Sequence, residues 1–282
     1  MSEIGIVIVT HNSGEHIGAC LEAAVRTRAE IVVVDNGSMD GAAELEHDFP
    51  KARFIRIPRN FGLTKAINVG VRGAVGEYIL LLHEDTEVSP GTARALAAAL
   101  ENQSEAGAAC PLLVTPDGTP GPQIADLPRP GHTDLVWRPA DPEYGEQPAE
   151  YARGAAIMVR SFFLRAMRQI DERYGTYGSD AELCFQVHRS AKRVLLVPAT
   201  RVVHHGRTEL DRTERAARDA DAKLGMALYL RKHFGMVRGA VFRISVALAA
   251  FGGLLSFRDF RYHMRLFGAL WSGQKIDGTQ PQ

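Results

Sequence analysis

The chain has 282 residues, of which 45% are hydrophobic and 23% are charged, an ordinary composition for a soluble globular protein. This length allows one large α/β domain with a smaller appendage. Three widely separated cysteines support neither a disulfide framework nor a structural zinc site, and they fit a reducing cytoplasm. We expect no cleaved secretory signal, because the first apolar run begins at Ile4 without a basic, apolar leader.

The net charge is zero but unevenly distributed along the chain. The segment from Lys223 to Ile276 holds nine Lys/Arg and one acidic residue, so it carries about +8 and leaves about −8 for the rest. This asymmetry predicts a basic C-terminal region that meets an anionic surface. Peripheral membrane contact through residues 223–276 is one interpretation of this surface, and we expect no nucleic-acid partner.

In chain order, the first half alternates short apolar runs with weaker helical patterns. The predicted strands are Ile4–Thr10, Glu30–Asp35, Arg53–Ile57 and Tyr78–His83, and the predicted helices are Glu15–Arg26, Met39–His47 and Leu63–Ala74. Continuous apolar runs are typical of strands covered on both faces, as in a mostly parallel sheet. The alternation therefore predicts a doubly wound α/β domain, a mostly parallel central sheet flanked by helices.

Polar side chains follow three of these strands at the point where each ends. They are Thr10–Asn12, Asp35–Ser38 and Glu84–Thr86. Ligands of doubly wound sheets lie beyond the carboxyl ends of the strands, so we expect a binding site here.

The second half is less regular. Thr115–Glu150 is rich in proline and glycine, which predicts a long excursion or flexible loop. The expected elements after it are strand Ala155–Val159, helices Phe162–Gln169 and Asp180–Arg189, and strand Arg193–Val197.

We expect residues 211–282 to form a basic amphipathic helical extension. The uncharged run Ile244–Phe257 within it is shorter than the roughly 20 residues of a membrane span. Two interpretations stay open: helices packed on the catalytic domain, or an interfacial surface with basic groups toward lipid phosphates.

Five clusters in chain order resemble the motifs of glycosyltransferase family 2, which has the GT-A fold, and most closely its rhamnosyltransferase-like bacterial members. They are Ile6–Ser13, Val33–Gly41, Asn60–Leu63 with Asn68–Gly70, Leu80–Thr86, and Asp180–Cys184 with His204–Gly206. The resemblance covers about residues 4 to 210, and the order of the motifs is more specific than any one of them. It implies a GT-A domain over residues 1–210, with a nucleotide-binding half (1–112) and an acceptor half (113–210).

The resemblance implies that Asp35 binds the nucleobase of a nucleotide-sugar donor, with Thr10 and Asn12 supporting base or ribose. A carboxylate at a strand end suits this task because it accepts from a ring N–H. The competing interpretation is structural, since Asp-Asn-Gly-Ser is also favourable turn chemistry.

Asn60, Gly62 and Asn68 match the family's stretch near the ribose and diphosphate of the donor. Lys65 is a candidate phosphate contact, and Gly62 allows the backbone to approach the ligand. Capping of the following helix by Asn60 is the alternative.

Asp85 matches the last acid of the family's Asp-x-Asp-type motif, which implies a divalent cation, Mn²⁺ or Mg²⁺, on the donor diphosphate. His83 stands where the family has Asp or Asn, and Glu84 also departs from the common pattern. His83 either supplies a nitrogen ligand, which favours Mn²⁺ over Mg²⁺, or hydrogen-bonds the ribose. An acidic helix start before Pro90 is the structural alternative.

Asp180 matches the acid that acts as general base in inverting members of the family. Ser179 replaces the usual Glu before it, and we expect Glu182 to form a structural salt bridge. His204 matches the histidine that reaches the metal or diphosphate, and Arg153 is a candidate contact for diphosphate or acceptor charge.

These features predict an inverting glycosyltransferase that moves a sugar, rhamnose or another hexose, from a UDP- or dTDP-sugar to an acceptor hydroxyl. A glycan or lipid-linked acceptor of cell-surface polysaccharide or glycolipid synthesis is expected, at the cytoplasmic face of the membrane. A degenerate, non-catalytic binder of nucleotide-sugar or lipid is one alternative. A sugar nucleotidyltransferase is less favoured because the phosphate loop of that class is absent from the first strand's end.

Overall fold

The structure is a computed structural model that describes residues 3–206, 212–256 and 259–273. The elements of its first half are β1 (Ile4–Thr10), α1 (Gly14–Arg26), β2 (Glu30–Asp35), a 3₁₀ segment (Ala42–His47), β3 (Ala52–Arg56), α2 (Leu63–Gly73), β4 (Tyr78–His83), β5 (Thr86–Val88), α3 (Thr92–Asn102) and β6 (Ala106–Val114). Those of its second half are β7 (Pro122–Ala125), β8 (Arg138–Pro139), β9 (Gln147–Ala149), β10 (Tyr151–Ala152), β11 (Ala156–Arg160), α4 (Ser161–Ala166), α5 (Ser179–Arg189), β12 (Arg193–His204), α6 (Arg212–Phe234), α7 (Met236–Leu255) and α8 (Phe260–Ser272).

Within the described residues, nine strands form the main sheet, in the order β3-β2-β1-β4-β11-β6-β12-β5, with β9 also on β12. Neighbours are parallel from β3 to β4 and between β6 and β12, whereas β11 runs antiparallel to both β4 and β6. Strands β5 and β9 are antiparallel to β12. The predicted α/β class with a central sheet flanked by helices is confirmed, and the sheet is mixed: four of its eight strand pairings are parallel and four are antiparallel.

Alternate residues of the central strands enter two separate hydrophobic cores, one on each face. Val7 and Val34 belong to the core that residues of α2, α4, α5 and α6 also line, whereas Ile6 and Val33 belong to the core lined by residues of α1 and α3. Both faces of the sheet are therefore buried, which is why these strands show no polar alternation in the sequence. Gly70 lets α2 lie directly on β1, since an added Cβ would overlap Val7.

The structure corrects the expectation for Thr115–Glu150. Strands β7, β8 and β10 form a small antiparallel sheet, and β9 extends the main sheet. Each strand has only two to four residues, and Pro122, Pro139 and Pro148 lie inside them. Prolines are tolerated at sheet edges, so their presence conceals short strands from a sequence pattern.

Several other predicted elements differ in extent. The helix expected at Met39–His47 is a 3₁₀ segment that starts at Ala42, and β12 continues seven residues past the predicted Val197 to His204. Helix α3 and strands β5 and β6 are additional to the predicted set.

The three C-terminal helices pack on one another through a small core of Ala216, Ala220, Ala250, Leu266 and Leu270. Helix α6 also joins the main core through Tyr229 and Leu230. Among the described residues, α7 is long and apolar enough to cross a membrane by length and composition, and 11% of that stretch is buried. It is longer than the uncharged run because it starts at Met236 and includes Arg238 and Arg243.

Candidate active site

The loops after β1 and β2 are joined by a set of hydrogen bonds at the carboxyl edge of the sheet. Thr10 pairs with Asp35 in the parallel register. Asn12 has a left-handed backbone (φ 50°), and its Oδ1 accepts from the backbone N–H of Met39 at 2.9 Å. Asp35 Oδ1 accepts from the backbone N–H of Ser38 at 3.0 Å. These contacts fix the shape of both loops before any ligand arrives.

Two polar atoms of this cradle are left for a ligand. The hydroxyl of Thr10 is buried and has no hydrogen-bond partner in the described part of the chain. Asp35 is buried, and only its Oδ1 is engaged by the residues that the structure describes. Asp35 thus serves the turn with one oxygen, while the other has no hydrogen-bond partner among the described residues, so the turn interpretation and the ligand interpretation are compatible.

The residues predicted to lie near the donor ribose and diphosphate fall into two groups: Asn60, Gly62 and Lys65 lie at the start of α2, whereas Asn68 lies further along the helix. Asn60 Oδ1 accepts from Asn36 Nδ2 at 2.9 Å and from the N–H of Gly62 at 2.9 Å, which shapes the turn before α2. Gly62 has φ 93°, a conformation that favours glycine. The ammonium of Lys65 lies 4.7 Å from the centre of the Phe61 ring. Asn36, which sequence analysis did not single out, connects this turn to β2.

Asn68 faces away from this edge. It is buried, and its amide donates to the carbonyl of Ile170 at 2.7 Å and accepts from the N–H of Ile170 at 3.1 Å. Both ends of the amide are therefore used to hold α2 against the loop that precedes α5. The structure gives Asn68 a structural contact where the sequence predicts a donor contact.

Three potential ligand groups converge where β4 and β12 end. His83, Asp85 and His204 each offer one donor atom, and these atoms lie within 4.8 Å of one another. His204 Nε2 is 3.4 Å from Asp85 Oδ2, while Asp85 Oδ1 is buried without a partner in the described residues. Burial opposes ionisation of Asp85, but the hydrogen bond and charge of His204 and the charge of His83 outweigh it and lower its pKa to about 2.

This cluster fits a divalent cation. An ionised, unpartnered carboxylate oxygen beside two imidazoles is a mixed oxygen and nitrogen donor set, which suits Mn²⁺ better than Mg²⁺. Of the two roles left open for His83, a ligand of the metal or a hydrogen bond to the ribose, its position among the possible metal ligands favours the first.

The backbone explains why these residues meet. Strand β5 pairs with β12 so that Thr86 lies opposite His204, and the N–H of His205 donates to the carbonyl of Asp85 at 3.0 Å. The ring of His205 is directed to Glu87 Oε1 at 2.6 Å, which leaves His204 as the histidine beside Asp85. Glu84 points elsewhere, because its Oε1 accepts from Ser13 Oγ at 2.9 Å at the start of α1.

Asp180 lies on the same edge of the sheet, next to the metal-ligand cluster. The N–H of His83 donates to the carbonyl of Ala155 at 2.9 Å, and an added Cβ on the adjacent Gly154 would lie 3.0 Å from the Cβ of Asp180. Gly154 and Ala155 are thus the bridge between the two groups. Asp180 Oδ1 accepts from the hydroxyl of Tyr151 at 2.8 Å.

The model of "Glycosyl transferase family 2" matches residues 5–169, more than half of the chain. The chain belongs to glycosyltransferase family 2. It is 28% identical over 231 residues to the N-acetylglucosaminyl-diphospho-decaprenol L-rhamnosyltransferase of Mycobacterium tuberculosis, covering 71% of this chain and 75% of that protein.

Solved structures show that this family 2 glycosyltransferase has the GT-A fold. GalNAc-T7 with UDP, GalNAc and Mn²⁺ superposes with a TM-score of 0.63 at 16% identity, covering 87% of this chain and 55% of that one. The mannosyltransferase PcManGT of Pyrobaculum calidifontis, in complex with GDP-Man and Mn²⁺, superposes with a TM-score of 0.60 at 13% identity, covering 97% and 88%.

Three aromatic and charged side chains of the glycosyltransferase form a stack beside Asp180. The guanidinium carbon of Arg153 lies 4.8 Å from the centre of the Trp137 ring, and that ring lies 4.8 Å from the ring of Tyr151. Trp137 and Tyr151 are not among the site residues predicted from the sequence. The one signal was the position of Tyr151 just before Arg153-Gly154, and the proline-rich surroundings hid it.

Glu182 is the second acid of the motif, and its predicted structural role is confirmed. Its side chain is buried and accepts from Lys232 Nζ at 2.8 Å and from His233 Nε2 at 2.7 Å. Both partners belong to α6, so Glu182 connects the helix of the candidate base to the C-terminal helices.

Proposed function

We propose that this protein is a metal-dependent, inverting glycosyltransferase. It transfers a sugar, rhamnose or another hexose, from a UDP- or dTDP-sugar to a hydroxyl of a glycan or lipid-linked acceptor. The observation that carries the proposal is the placement of His83, Asp85 and His204 on one sheet edge with Asp180. A cation site on the donor and a base for the acceptor are the two groups that this reaction requires.

The donor lies across the loops after β1, β2 and β4. Asp35, with Thr10 and Asn12, binds base and ribose, while Asn60, Gly62 and Lys65 face the ribose and diphosphate. Asp85, His83 and His204 would hold the cation. When bound, Mn²⁺ or Mg²⁺ would neutralise the negative charge that develops on the departing diphosphate.

Asp180 acts as general base. It takes the proton of the acceptor hydroxyl, whose oxygen forms a bond to the anomeric carbon of the donor sugar. The bond from that carbon to the diphosphate oxygen breaks on the opposite side, and its electron pair leaves with the nucleoside diphosphate. Attack opposite the leaving group inverts the anomeric configuration.

We place the acceptor at the cytoplasmic face of a membrane, with residues 1–210 as the catalytic domain and 211–282 as the extension that meets lipid. Ile244, Leu248, Phe251 and Leu255 are exposed at helical spacing on α7, and Trp271 is exposed on α8. The basic side chains of Arg238, Arg261 and Arg265 are also exposed on these helices. Apolar groups beside basic ones suit the interface of an anionic membrane. The M. tuberculosis relative, whose name includes a diphospho-decaprenol acceptor, supports a lipid-linked acceptor.

The base assignment is tested by Asp180→Asn in an assay that follows nucleoside diphosphate release. The acceptor is an N-acetylglucosaminyl diphosphate with a short prenyl tail, offered with a panel of UDP- and dTDP-sugars. Loss of the base is expected to lower turnover by roughly 10²- to 10⁴-fold and to leave nucleotide affinity unchanged. Unchanged turnover would remove Asp180 from the base role.

The metal requirement is tested in the same assay with EDTA, followed by addition of Mn²⁺ or Mg²⁺. Chelation is expected to abolish transfer and Mn²⁺ to restore it, whereas Asp85→Ala should show no restoration. Full activity in EDTA contradicts metal dependence. Nucleotide binding by the wild-type protein without transfer to any acceptor would favour the degenerate, non-catalytic alternative.

The membrane contact is tested by sedimentation of the full chain with vesicles of neutral or anionic phospholipid. Binding to anionic vesicles is expected, with loss of binding in the double variant Ile244→Glu, Leu248→Glu. Alkaline carbonate releases peripheral proteins, so protein retained after a carbonate wash would contradict the peripheral assignment and indicate a spanning α7.

A further inference from the structure

The guanidinium of Arg153 differs from the other charged groups near Asp180. It is oriented by an aromatic ring, but it has no anionic partner in the described residues. It lies over the ring of Trp137 at 4.8 Å, and it makes no hydrogen bond or ion pair with any side chain in residues 3–206, 212–256 and 259–273. Other arginines of this region are paired: Arg129 with Glu150 and Arg138 with Asp126. A half-buried, unpaired cation implies a missing anion, since burial without a counter-ion is unfavourable.

The contact with Trp137 fixes the plane of the guanidinium without using its hydrogen bonds. Cation–π contact engages one face of the group, and the N–H donors at its edge remain available. Those donors form a planar fork that matches two oxygens of a phosphate. Trp137 is itself held by the ring of Tyr151, so the fork is oriented before a ligand binds.

The neighbouring carboxylate does not neutralise Arg153. Asp180 is joined to Tyr151 and to the N–H of Ala181, at 2.8 and 2.9 Å, and it forms no ion pair with Arg153 in the described structure. Arg153 therefore stands beside the base with its charge available to a ligand.

The position of Arg153 indicates which ligand it serves. The donor diphosphate belongs to the cation site of His83, Asp85 and His204. Arg153 instead lies in the segment between β10 and β11, on a wall that Trp137 and Tyr151 build from the proline-rich excursion. Tyr151 contacts the base that faces the acceptor, so this wall faces the acceptor as well.

We propose that Arg153, held by Trp137, is a phosphate-binding site for the acceptor, which selects acceptors that carry a diphosphate next to the sugar. This inference rests on the proposed function and names the substrate feature that its acceptor side recognises. It also gives the short strands of residues 115–152 a task, because they bring Trp137 and Tyr151 to one side of Arg153.

The site is tested by calorimetric titration of the full-length protein in EDTA, which removes the contribution of a cation. One probe is N-acetylglucosaminyl diphosphate with a short prenyl tail, and the second is the same sugar joined to that tail without the diphosphate. The wild-type protein is expected to bind the first more tightly. Arg153→Gln should weaken binding of the first probe by roughly 10- to 100-fold and leave the second unchanged.

Matched variants separate this effect from loss of charge or loss of fold. Arg138→Gln removes the same charge next to Trp137, but from a residue that is already paired, and is expected to change neither titration. Arg153→Lys should restore part of the affinity, because an ammonium keeps the charge and lacks the planar fork. Equal affinity of wild type and Arg153→Gln for the diphosphate probe would overturn the site.

A nucleotide arm distinguishes the two sources of phosphate. Titration with UDP and dTDP in Mn²⁺ is expected to be the same for wild type and Arg153→Gln. A loss of nucleotide affinity as large as the loss for the acceptor probe would assign Arg153 to the donor and overturn the acceptor site. If Arg153→Gln alters only the acceptor titration while the wild-type protein transfers no sugar, the site stands and the proposed function fails.

Discussion

Two carboxylates of this molecule, Asp85 and Glu182, have similar surroundings but differ in how fully the protein satisfies their hydrogen-bonding capacity. Each is withdrawn from solvent and lies beside a histidine, at 3.4 Å from His204 and 2.7 Å from His233. In both, burial opposes ionisation and the neighbouring hydrogen bonds and charges outweigh it, so each pKa is lowered to about 2. Charge and burial alone therefore do not distinguish a ligand site from a structural joint.

The difference lies in how many carboxylate oxygens are satisfied. Glu182 accepts from Tyr174, Gln186, Lys232 and His233, which engages both of its oxygens. Asp85 Oδ1 is buried with no partner among the described residues. A buried polar atom without a partner is unfavourable unless a ligand completes it, so Asp85 is the open site and Glu182 is the closed one.

The largest expected difference is in stability. Glu182→Gln places an amide N–H₂ among Lys232 and His233, which are themselves donors, and leaves Lys232 with Asp171 as its remaining counter-ion. We expect a loss of about 3–5 kcal/mol in the free energy of unfolding, measured by urea titration. Asp85→Asn, the matched amide variant, should lose less without metal, because only one of its two oxygens has a partner in the described residues. Equal losses would show that the two sites do not differ in kind.

The second contrast is in the response to metal. At a Mn²⁺ concentration 100 times its dissociation constant, the wild-type protein should gain about 2.7 kcal/mol of stability. Glu182→Gln should gain the same increment from a lower baseline, and Asp85→Asn should gain almost none. Thermal unfolding with and without Mn²⁺ measures this. Stabilisation of Asp85→Asn by Mn²⁺ would place the ion elsewhere.

Acid titration sharpens the comparison on the side of Glu182. The pKa of Glu182 is lowered from 4.5 to about 2 in the folded protein, so its contribution is complete above pH 5 and is lost as the pH falls toward 2. Between pH 5 and 3 the wild-type protein should lose about 2 kcal/mol more than Glu182→Gln. The variant keeps the acid sensitivity of Asp85 and Asp171, whose pKa values are also lowered. Parallel stability curves from pH 5 to 3 would contradict this role.

The main acidic residues of the candidate site could be predicted from the sequence, whereas many of the residues around them could not. Asp35 ends β2 and Asp85 lies just after β4, so their placement at one sheet edge follows from the pattern of buried strands, whereas Asp180, in the first turn of α5, was located by its motif. The long apolar strands gave the fold class for the same reason. The role of His83 was harder to predict. A ligand of the metal and a hydrogen-bond partner of the ribose would both be expected at the end of β4.

The closed site and the acceptor wall depend on contacts that are distant in the chain. Glu182 meets Lys232 and His233 about 50 residues later, and Asn68 meets Ile170 about 100 residues later. No local spacing encodes such pairs. The stack of Trp137 and Tyr151 was hidden differently, since Tyr151 lies in a strand of only two residues and Trp137 directly precedes another, both in proline-rich surroundings.

Asp180 is intermediate between the two carboxylates, and it allows the smallest prediction. Tyr151 is fully buried, and its hydroxyl donates to Asp180 Oδ1, whereas the nearest donor to Oδ2 is the N–H of Gly154 at 3.4 Å. One oxygen is therefore oriented by the protein, and the other is nearly open to an acceptor hydroxyl. Burial and the negative charge of Asp180 both raise the pKa of Tyr151, so its phenol stays protonated and remains a donor at neutral pH.

Tyr151→Phe removes this hydrogen bond and keeps the ring that packs on Trp137. The bond contributes about 1 kcal/mol, so we expect kcat to fall about fivefold through less uniform orientation of the base, with the KM of the donor unchanged. Tyr144→Phe is the matched control, because Tyr144 lies in the same excursion and is exposed. A rise in donor KM at constant kcat would show that Tyr151 shapes the donor site. A fall in kcat alone would show that Tyr151 orients the base. Asp180 would then stand between Glu182, whose two oxygens are both engaged by the protein, and Asp85, whose Oδ1 has no partner in the described residues.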